Sequence, residues 1–484
     1  MIFRRAGSGD PDVILVDTRW FSTDYLAHKL ASRGIRVHAF TAPPRWPPSY
    51  LRAVYPYRSY LEEPFGDQRS DSFTAMVERI GPACIIPCSE QALYWMWNQP
   101  GHIQERSLPN VAPPIRPLLL DRTLLLAEAA GWGVAIPTST PLASHDDCDA
   151  AIAAGLPLMV KSGQSVGSTG VALCRTADEV IRAFDKFSGR PASVTAQRYY
   201  AGPTYLAGGL FVHGKAVHFY AGEKTVMWPS LTGYAYELRS AGEPHFSTLL
   251  QAAETVCKNL EWTGPASFDF VLGEDGQFRF VDFNPRLWGS AGATVKAKVD
   301  LYGGIERWIR CGDAGPPSRS VPGVSYRVFP KYTFDPSDMS AWRRLSGLRD
   351  APWGAPSLVA GELLHGLGWQ VKRAVGRRGR LYVPLYVPLY VPGCRVVCPR
   401  VSRGARNPAF PVCLYRSWFP GATQAACATA APPRRLTSGR GQPREPKILH
   451  DVWKTRNRHK TLRDHERRRQ ALLPGFRRLA QNGH

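Results

Sequence analysis

The chain lacks the residue patterns that mark a metal cage, a redox couple or a membrane span. Ten cysteines are spread over 484 residues, and no two have the Cys-x-x-Cys spacing of a zinc or thiol-redox site. Cys84 and Cys88, like Cys394 and Cys398, stand four apart with no histidine nearby, so reduced thiols in a cytoplasmic protein are expected. The twelve histidines show no His-Glu-x-x-His spacing, and none is assigned to catalysis. No window approaches the ~20 apolar residues of a membrane helix, and the apolar run at the N-terminus is too short for a signal-peptide core. Charge of one sign is missing where a nucleic-acid surface would need it. Of the net +22, +21 resides in residues 371–484, with 25 Lys/Arg against 4 Asp/Glu, which leaves 36 against 35 for residues 1–370. The first 370 residues therefore carry no phosphate-backbone footprint, and the tail lacks the aromatic interleaving of a base-stacking platform. No membrane and no specific nucleic acid is expected as a partner.

What is present divides into segments. Val13 to Val16 is a short apolar run typical of a buried parallel strand. A helical stretch from Asp24 to Arg33, Gly34 and a second strand from Ile35 to Phe40 complete a βαβ unit. A helix around Ser72 to Ile80 leads to another strand, Ala83 to Pro87. No Gly-x-Gly-x-x-Gly follows the first strand, so residues 1–120 read as an open α/β domain without a dinucleotide fingerprint. The cluster Tyr94 to Trp97 suits a helix packed on that sheet. From residue 121 the pattern becomes α+β: Asp121 caps a helix from Arg122 to Ala130, Pro157 to Lys161 is a strand, and Thr176 caps a helix to Phe187. Strands follow over Ser193 to Tyr200 and Tyr205 to Tyr220, then a helix from Phe246 to Asn259 and strands Ala266 to Leu272 and Gln277 to Phe283. Residues 316–370 are weakly patterned. Beyond them Leu-Tyr-Val-Pro repeats three times from Leu381, each proline removing a ladder donor, and disorder is expected past about residue 375.

Two motifs carry chemistry. If Gly273 to Gly276 forms the loop of the last hairpin, Leu272 pairs with Gln277 and Asp269 stands diagonal to Asp282, with Asn284 on the same face. Phe268, Phe270, Val281 and Phe283 then form the core face. Two carboxylates and an amide oxygen on one polar face suit a hard cation such as Mg²⁺ that binds phosphates, and the same pattern also suits a solvated hairpin face. The second motif is Lys161 followed by a loop to Gly170 with three glycines, Gly163, Gly167 and Gly170, together with Ser168 and other hydroxyl or amide side chains. Backbone N–H groups in such a loop can approach phosphate oxygens. It is no Walker A loop, since Gly-Lys-Ser/Thr is absent, and a Gly-rich loop alone is usually a turn.

Taken in order, Asp121-Arg122, Lys161 with its loop, Gln197 to Gly202, Asp269, and Asp282-Phe283-Asn284-Pro285-Arg286-Leu287-Trp288-Gly289-Ser290 resemble the ATP-grasp superfamily, in its carboxylate-amine ligase branch, over residues of about 13–315. The resemblance implies an N-terminal α/β domain (1–120), an ATP-grasp domain (121–315, its lid subdomain about 121–200 and its metal-binding subdomain about 201–315), an extension (316–370) and a basic tail (371–484). It further implies that Arg122, Lys161 and the loop residues Gly163, Gly167, Ser168 and Gly170 hold the phosphates of ATP, and that Gln197, Arg198, Tyr199 and Tyr200 form the hinge strand beside the adenine. Thr204 stands at the ribose position. Asp269, Asp282 and Asn284 are implied to hold one or two Mg²⁺ ions, and Arg286 the γ-phosphoryl group, with Lys224 and Arg239 as weaker candidates for the same anion. Many relatives carry Glu where Gln197, Thr204, Asp269 and Asp282 stand, and Lys where Arg122 stands. The activity implied is ligation of a carboxylate to an amine, both small molecules, through an acyl phosphate, with Lys161, Arg286 and Arg239 as catalytic cations. A nucleotide-binding protein without turnover, or a nucleic-acid-associated protein acting through its tail, is the alternative.

Overall fold

The computed structural model describes residues 10–376 apart from residue 19 and the segments 42–56, 63–69, 164–169, 190–192, 229–232 and 336–338. The expected disorder of the basic tail and its Leu-Tyr-Val-Pro repeat lie outside the described residues.

The first sheet is parallel. Strands β1 (Asp12–Val16), β2 (Arg36–Thr41), β3 (Ser59–Glu62) and β4 (Cys84–Pro87) lie in the order β3-β2-β1-β4. The apolar run of β1 is explained by burial on both faces. Val13 and Leu15 pack on Tyr25, Leu26 and Leu30 of the helix Phe21–Ala31, whereas Ile14 and Val16 join Phe73, Met76, Trp95 and Met96 on the other side. The Tyr94–Trp97 cluster thus belongs to a helix, Glu90–Met96, whose Trp95 ring stacks 5.4 Å from Phe40.

The second sheet is antiparallel: β5 (Ser139–Leu142), β6 (Leu158–Ser162), β7 (Val171–Cys174) and β8 (Val194–Arg198), in the order β5-β8-β6-β7. The helices His145–Ala153 and Ala177–Ser188 pack on it, and each begins with a complete capping box, Ser144 with Asp147 and Thr176 with Glu179.

The third sheet has seven strands. β9 (Thr204–Val212), β10 (Lys215–Trp228), β11 (Tyr234–Ser240), β12 (Gly264–Leu272), β13 (Phe278–Asn284), β14 (Ser318–Arg319) and β15 (Ser325–Arg327) run in the order β13-β12-β9-β10-β11-β15, and β14 pairs with β10. One face packs on the helix His245–Asn259 through Phe211, Phe219, Phe268, Phe270 and Phe283. The weakly patterned stretch 316–370 therefore adds two strands to this sheet and begins the helix Pro356–Gly376. Among the described residues no helix is long and apolar enough to cross a membrane.

The β12/β13 hairpin departs from the register expected from its sequence. Leu272 pairs with Phe278 rather than Gln277, and a bulge at Val281 sets Asp269 directly opposite Asp282 rather than diagonal to it. The extra residue breaks the period-2 alternation. Phe278, Phe280 and Phe283 face the core, and Val281 leaves the expected core face to line a cleft with Asp282 and Asn284.

Candidate functional site

A cleft of 280 Å³ opens between the second and third sheets and the carboxyl end of the first. Its roof is β6 and β8, its floor β9, β10, β12 and β13. The chain passes from roof to floor at residues 199–203, where the Tyr199 amide donates to the Pro157 carbonyl (3.2 Å) and the Leu272 amide to the Pro203 carbonyl (2.9 Å). Gly202 is required at this crossing, because a Cβ there would run into the Leu272 carbonyl oxygen.

Most of the sequence-selected residues meet in this cleft. Arg122, Lys161, Gln197, Arg198, Tyr199, Tyr200, Thr204, Lys224, Asp269, Asp282, Asn284 and Arg286 all line it. Gly163 and Gly170 flank the loop that follows β6: Gly170 accepts from the Ser162 amide (2.9 Å) and Gly163 from the Arg122 amide (3.1 Å), with the Asp121 carboxylate against its Cα. Gly167 and Ser168 lie outside the described residues. Arg239 is not brought to the cleft. It is exposed on β11 and paired with Glu223 at 2.9 Å, and it is not among the residues that line the cleft.

The floor is built as interlocked charge pairs. Lys224 Nζ lies 2.8 Å from Asp269 Oδ1, and Arg122 Nη1 lies 3.4 Å from Asp282 Oδ1. The Asp282 carboxylate beside it holds the Arg122 guanidinium above its ordinary pKa. Arg286 donates to Asn284 Oδ1 (3.2 Å) and to Glu90 Oε1 (3.3 Å), the latter from the helix after β4. Burial raises the Glu90 carboxyl, with Arg286 acting in the opposite direction. Lys161 has no carboxylate within ion-pair distance among the described residues, and burial in the cleft lowers its pKa to about 8. At the crossing from roof to floor, the Arg279 guanidinium stacks 4.1 Å over the Tyr200 ring.

Two atoms in the cleft are left wanting. Gln197, 2% exposed, donates from Nε2 to Ser139 Oγ (3.1 Å), but its Oε1 is buried without a hydrogen-bond partner among the described residues. Asp282 Oδ1 is likewise buried and, beyond its 3.4 Å ion pair with Arg122, makes no hydrogen bond among the described residues. An unmet buried acceptor costs about 1–3 kcal/mol, so both atoms are positioned for a donor or a cation brought by a ligand. Among the described residues no group of three or more His, Cys, Asp or Glu converges as a metal site. A divalent ion here would have Asp269, Asp282 and Asn284 alone, a donor set that suits Mg²⁺ completing its shell with water and phosphate oxygens.

The sequence reading missed Glu90, Lys331, Trp20 and Tyr234, all of which line the cleft. Glu90 follows the Ser89 cap at the carboxyl end of β4, next to the strand where the order of the first sheet reverses. That position, where open α/β sheets bind ligands, is a signal that would have pointed to it. Lys331 offered no signal in a weakly patterned stretch.

No family model and no curated protein matches the chain. Solved structures do. The biotin carboxylase domain of 2-oxoglutarate carboxylase from Hydrogenobacter thermophilus, in complex with MgADP, ADP and bicarbonate, aligns with a TM-score of 0.53 at 14% identity, over 65% of this chain and 73% of that one. Biotin carboxylase from Campylobacter jejuni aligns at 0.51 and 13% identity, over 64% and 72%. N5-carboxyaminoimidazole synthetase from Staphylococcus aureus aligns at 0.50 and 13% identity, over 66% and 82%. The chain shares the fold of these ATP-grasp carboxylate-amine ligases, which is the fold the motifs between Asp121 and Ser290 implied.

Proposed function

We propose that the protein is an ATP-dependent ligase that joins a carboxylate to an amine, with Mg²⁺ and ATP taken up in the cleft. The observation that carries this reading is the convergence there of Arg122, Lys161, Lys224 and Arg286 around Asp269, Asp282 and Asn284. The nucleotides bound in the structurally similar biotin carboxylases point the same way.

ATP supplies the phosphoryl group: a carboxylate oxygen bonds to the γ-phosphorus as the bond to the β,γ-bridging oxygen breaks, and the amine then bonds to the acyl carbon as phosphate leaves and the amine nitrogen gives up a proton. Mg²⁺ on Asp269, Asp282 and Asn284 neutralises phosphate charge when bound. Everything else falls to side chains. Lys161 and Arg122 hold the phosphate oxygens, and the planar Arg286 guanidinium meets the transferring group in bidentate fashion. Glu90 and Asn284 fix the orientation of Arg286 before substrate arrives. Gln197 Oε1 accepts from the adenine amino group, and Tyr199 and Tyr200 flank the ring. Walls on three sides limit the water that can reach an activated acyl group.

The test is ADP release by the full chain with Mg²⁺ and ATP, first alone and then with mixtures of small carboxylates and amines. The expected result is release that requires both substrates. ATP binding without release in any mixture would mean a nucleotide-binding protein without turnover, and no ATP binding would refute the assignment of the cleft.

A further inference from the structure

A second cavity, of 230 Å³, adjoins the cleft and shares Ser22 and Gly289 with it. Its walls are the rings of Phe21, Tyr25, Tyr326 and Phe329, and Phe329 meets Phe21 edge-on at 5.3 Å. Its polar wall is already satisfied within the protein. Asp350, 1% exposed, is paired with Lys296 through one oxygen and accepts the Arg327 amide (2.8 Å) through the other. Among the described residues no free carboxylate is therefore left there to receive an ammonium group, and Arg349, also on its wall, is a cation as well.

Where the two cavities join, the charge is positive. Lys331 lines the cleft with its ammonium 4.2 Å from the centre of the Tyr234 ring and 5.5 Å from that of Trp20. A methyl group placed on Gly289 would lie 3.8 Å from Lys331 Nζ, so the ammonium stands at the shared wall. No carboxylate lies within ion-pair distance of it among the described residues. The first turn of the eleven-residue helix Phe21–Ala31, whose Trp20 cap makes no side-chain hydrogen bond, begins at the same junction. The junction thus offers a cation held in an aromatic cage and the positive end of a helix, and the cavity beyond it offers rings.

We propose that the second cavity holds the carboxylate substrate, its carboxylate on Lys331 at the junction and its compact aromatic or branched apolar body among Phe21, Tyr25, Tyr326 and Phe329. This deepens the ligase reading above and rests on it. A cavity of 230 Å³ walled by four aromatic rings suits a body of a single ring or a short branched chain. Lys331 is then the residue that selects an acid over an amine at this position, and the rings select its size.

The test measures binding of acetate, 3-methylbutanoate and phenylacetate to the full chain by titration calorimetry, with and without ATP and Mg²⁺, so that carboxylate recognition is read apart from nucleotide use. Phenylacetate and 3-methylbutanoate are expected to bind at least about tenfold more tightly than acetate, as the loss of apolar contacts from such a pocket requires. Lys331→Met should abolish that binding and leave ATP binding intact, and Lys331→Arg should restore part of it. Val295→Trp, at an exposed position on the cavity wall outside the nucleotide cleft, should remove the preference for phenylacetate over acetate. Equal affinities for the three acids, or an unaffected preference in both Lys331→Met and Val295→Trp, would overturn the proposal while leaving the ligase reading in place. Lys331-dependent carboxylate binding in a protein that binds no ATP would support the pocket and overturn the ligase reading instead.

Discussion

Lys161 is a buried cation with no carboxylate within ion-pair distance among the described residues, and replacing it with methionine separates what the residue costs from what it does. Burial lowers its pKa from 10.5 to about 8, with Asp282 and Asp269 opposing that shift and Arg122 adding to it. At 1.36 kcal/mol per unit, holding the charged form in the empty cleft costs at most about 3 kcal/mol. The sign follows from proton counts: between the folded pKa and 10.5 the unfolded chain binds more protons, so the penalty is fully present below about pH 8 and disappears as pH rises through 10.5. Lys161→Met keeps the length of the stem and removes the charge, so the ligand-free protein should gain about 1–3 kcal/mol near neutral pH and melt a few degrees higher. Nucleotide binding should move the other way. A charge-assisted contact is worth about 1.5–3 kcal/mol, which is a loss of roughly 10–100-fold in ATP affinity. A bound polyanion also raises the lysine pKa. At about pH 9, where roughly nine-tenths of Lys161 is deprotonated in the free protein, ATP binding should take up close to one proton, and at about pH 7 close to none. Titration calorimetry in buffers of different ionisation enthalpy reads that number directly, and in Lys161→Met it should be near zero at both values. A variant that melts lower than the parent, or a parent whose ATP affinity does not change between about pH 7 and pH 9.5, would refute the reasoning.

Asp282→Asn should abolish ADP release and its dependence on Mg²⁺ with little change in melting temperature, because it deletes charge on the cleft side of β13 and leaves Phe283 in the core; circular dichroism melts beside the release assay check this. Gly202→Ala should destabilise the protein by about 1–3 kcal/mol, since the new methyl collides with the Leu272 carbonyl at the crossing between roof and floor, and urea unfolding measures it. Arg239→Ala should leave ATP affinity unchanged and cost no more than about 0.5 kcal/mol, as an exposed ion pair with Glu223 outside the cleft predicts. Gln197→Leu removes both the Ser139 bond and the unmet acceptor. It should weaken ATP more than it weakens pyrophosphate, a difference that competition binding resolves.

The site was legible in the sequence wherever its chemistry was local. Asp282, Asn284 and Arg286 lie within five residues, and strand geometry alone brings the first two to one face. Lys161 at the end of an apolar run and the Gln197–Tyr200 stretch could likewise be placed on elements before any contact was known. The hairpin register could not. Val281 is an ordinary strand residue with no glycine beside it to mark a bulge, and only the packing of Phe280 and Phe283 on the helix His245–Asn259 shows that one residue has been looped out. Together with the one-residue shift at the loop, where Leu272 pairs with Phe278, that extra residue changes a diagonal pair of aspartates into a facing pair and moves Val281 from core to cleft.

Sequence by itself determined the main strands and helices of the first sheet and of the β12/β13 hairpin, the near-neutral charge of the first 370 residues and the chemical identity of the floor, because periodicity, caps and closely spaced polar residues act over a few positions. Tertiary structure decided which distant residues share that floor. Glu90 reaches Arg286 across 196 positions, and Lys331 arrives from the stretch that shows least pattern. Both come to the cleft because apolar surfaces elsewhere pack: Trp95 and Met96 seat the helix that carries Glu90, and Phe329 beside Phe21 seats the turn that carries Lys331. A polar side chain held in place by the burial of its neighbours leaves no periodic trace of its own, so its role appears only once the chain has folded.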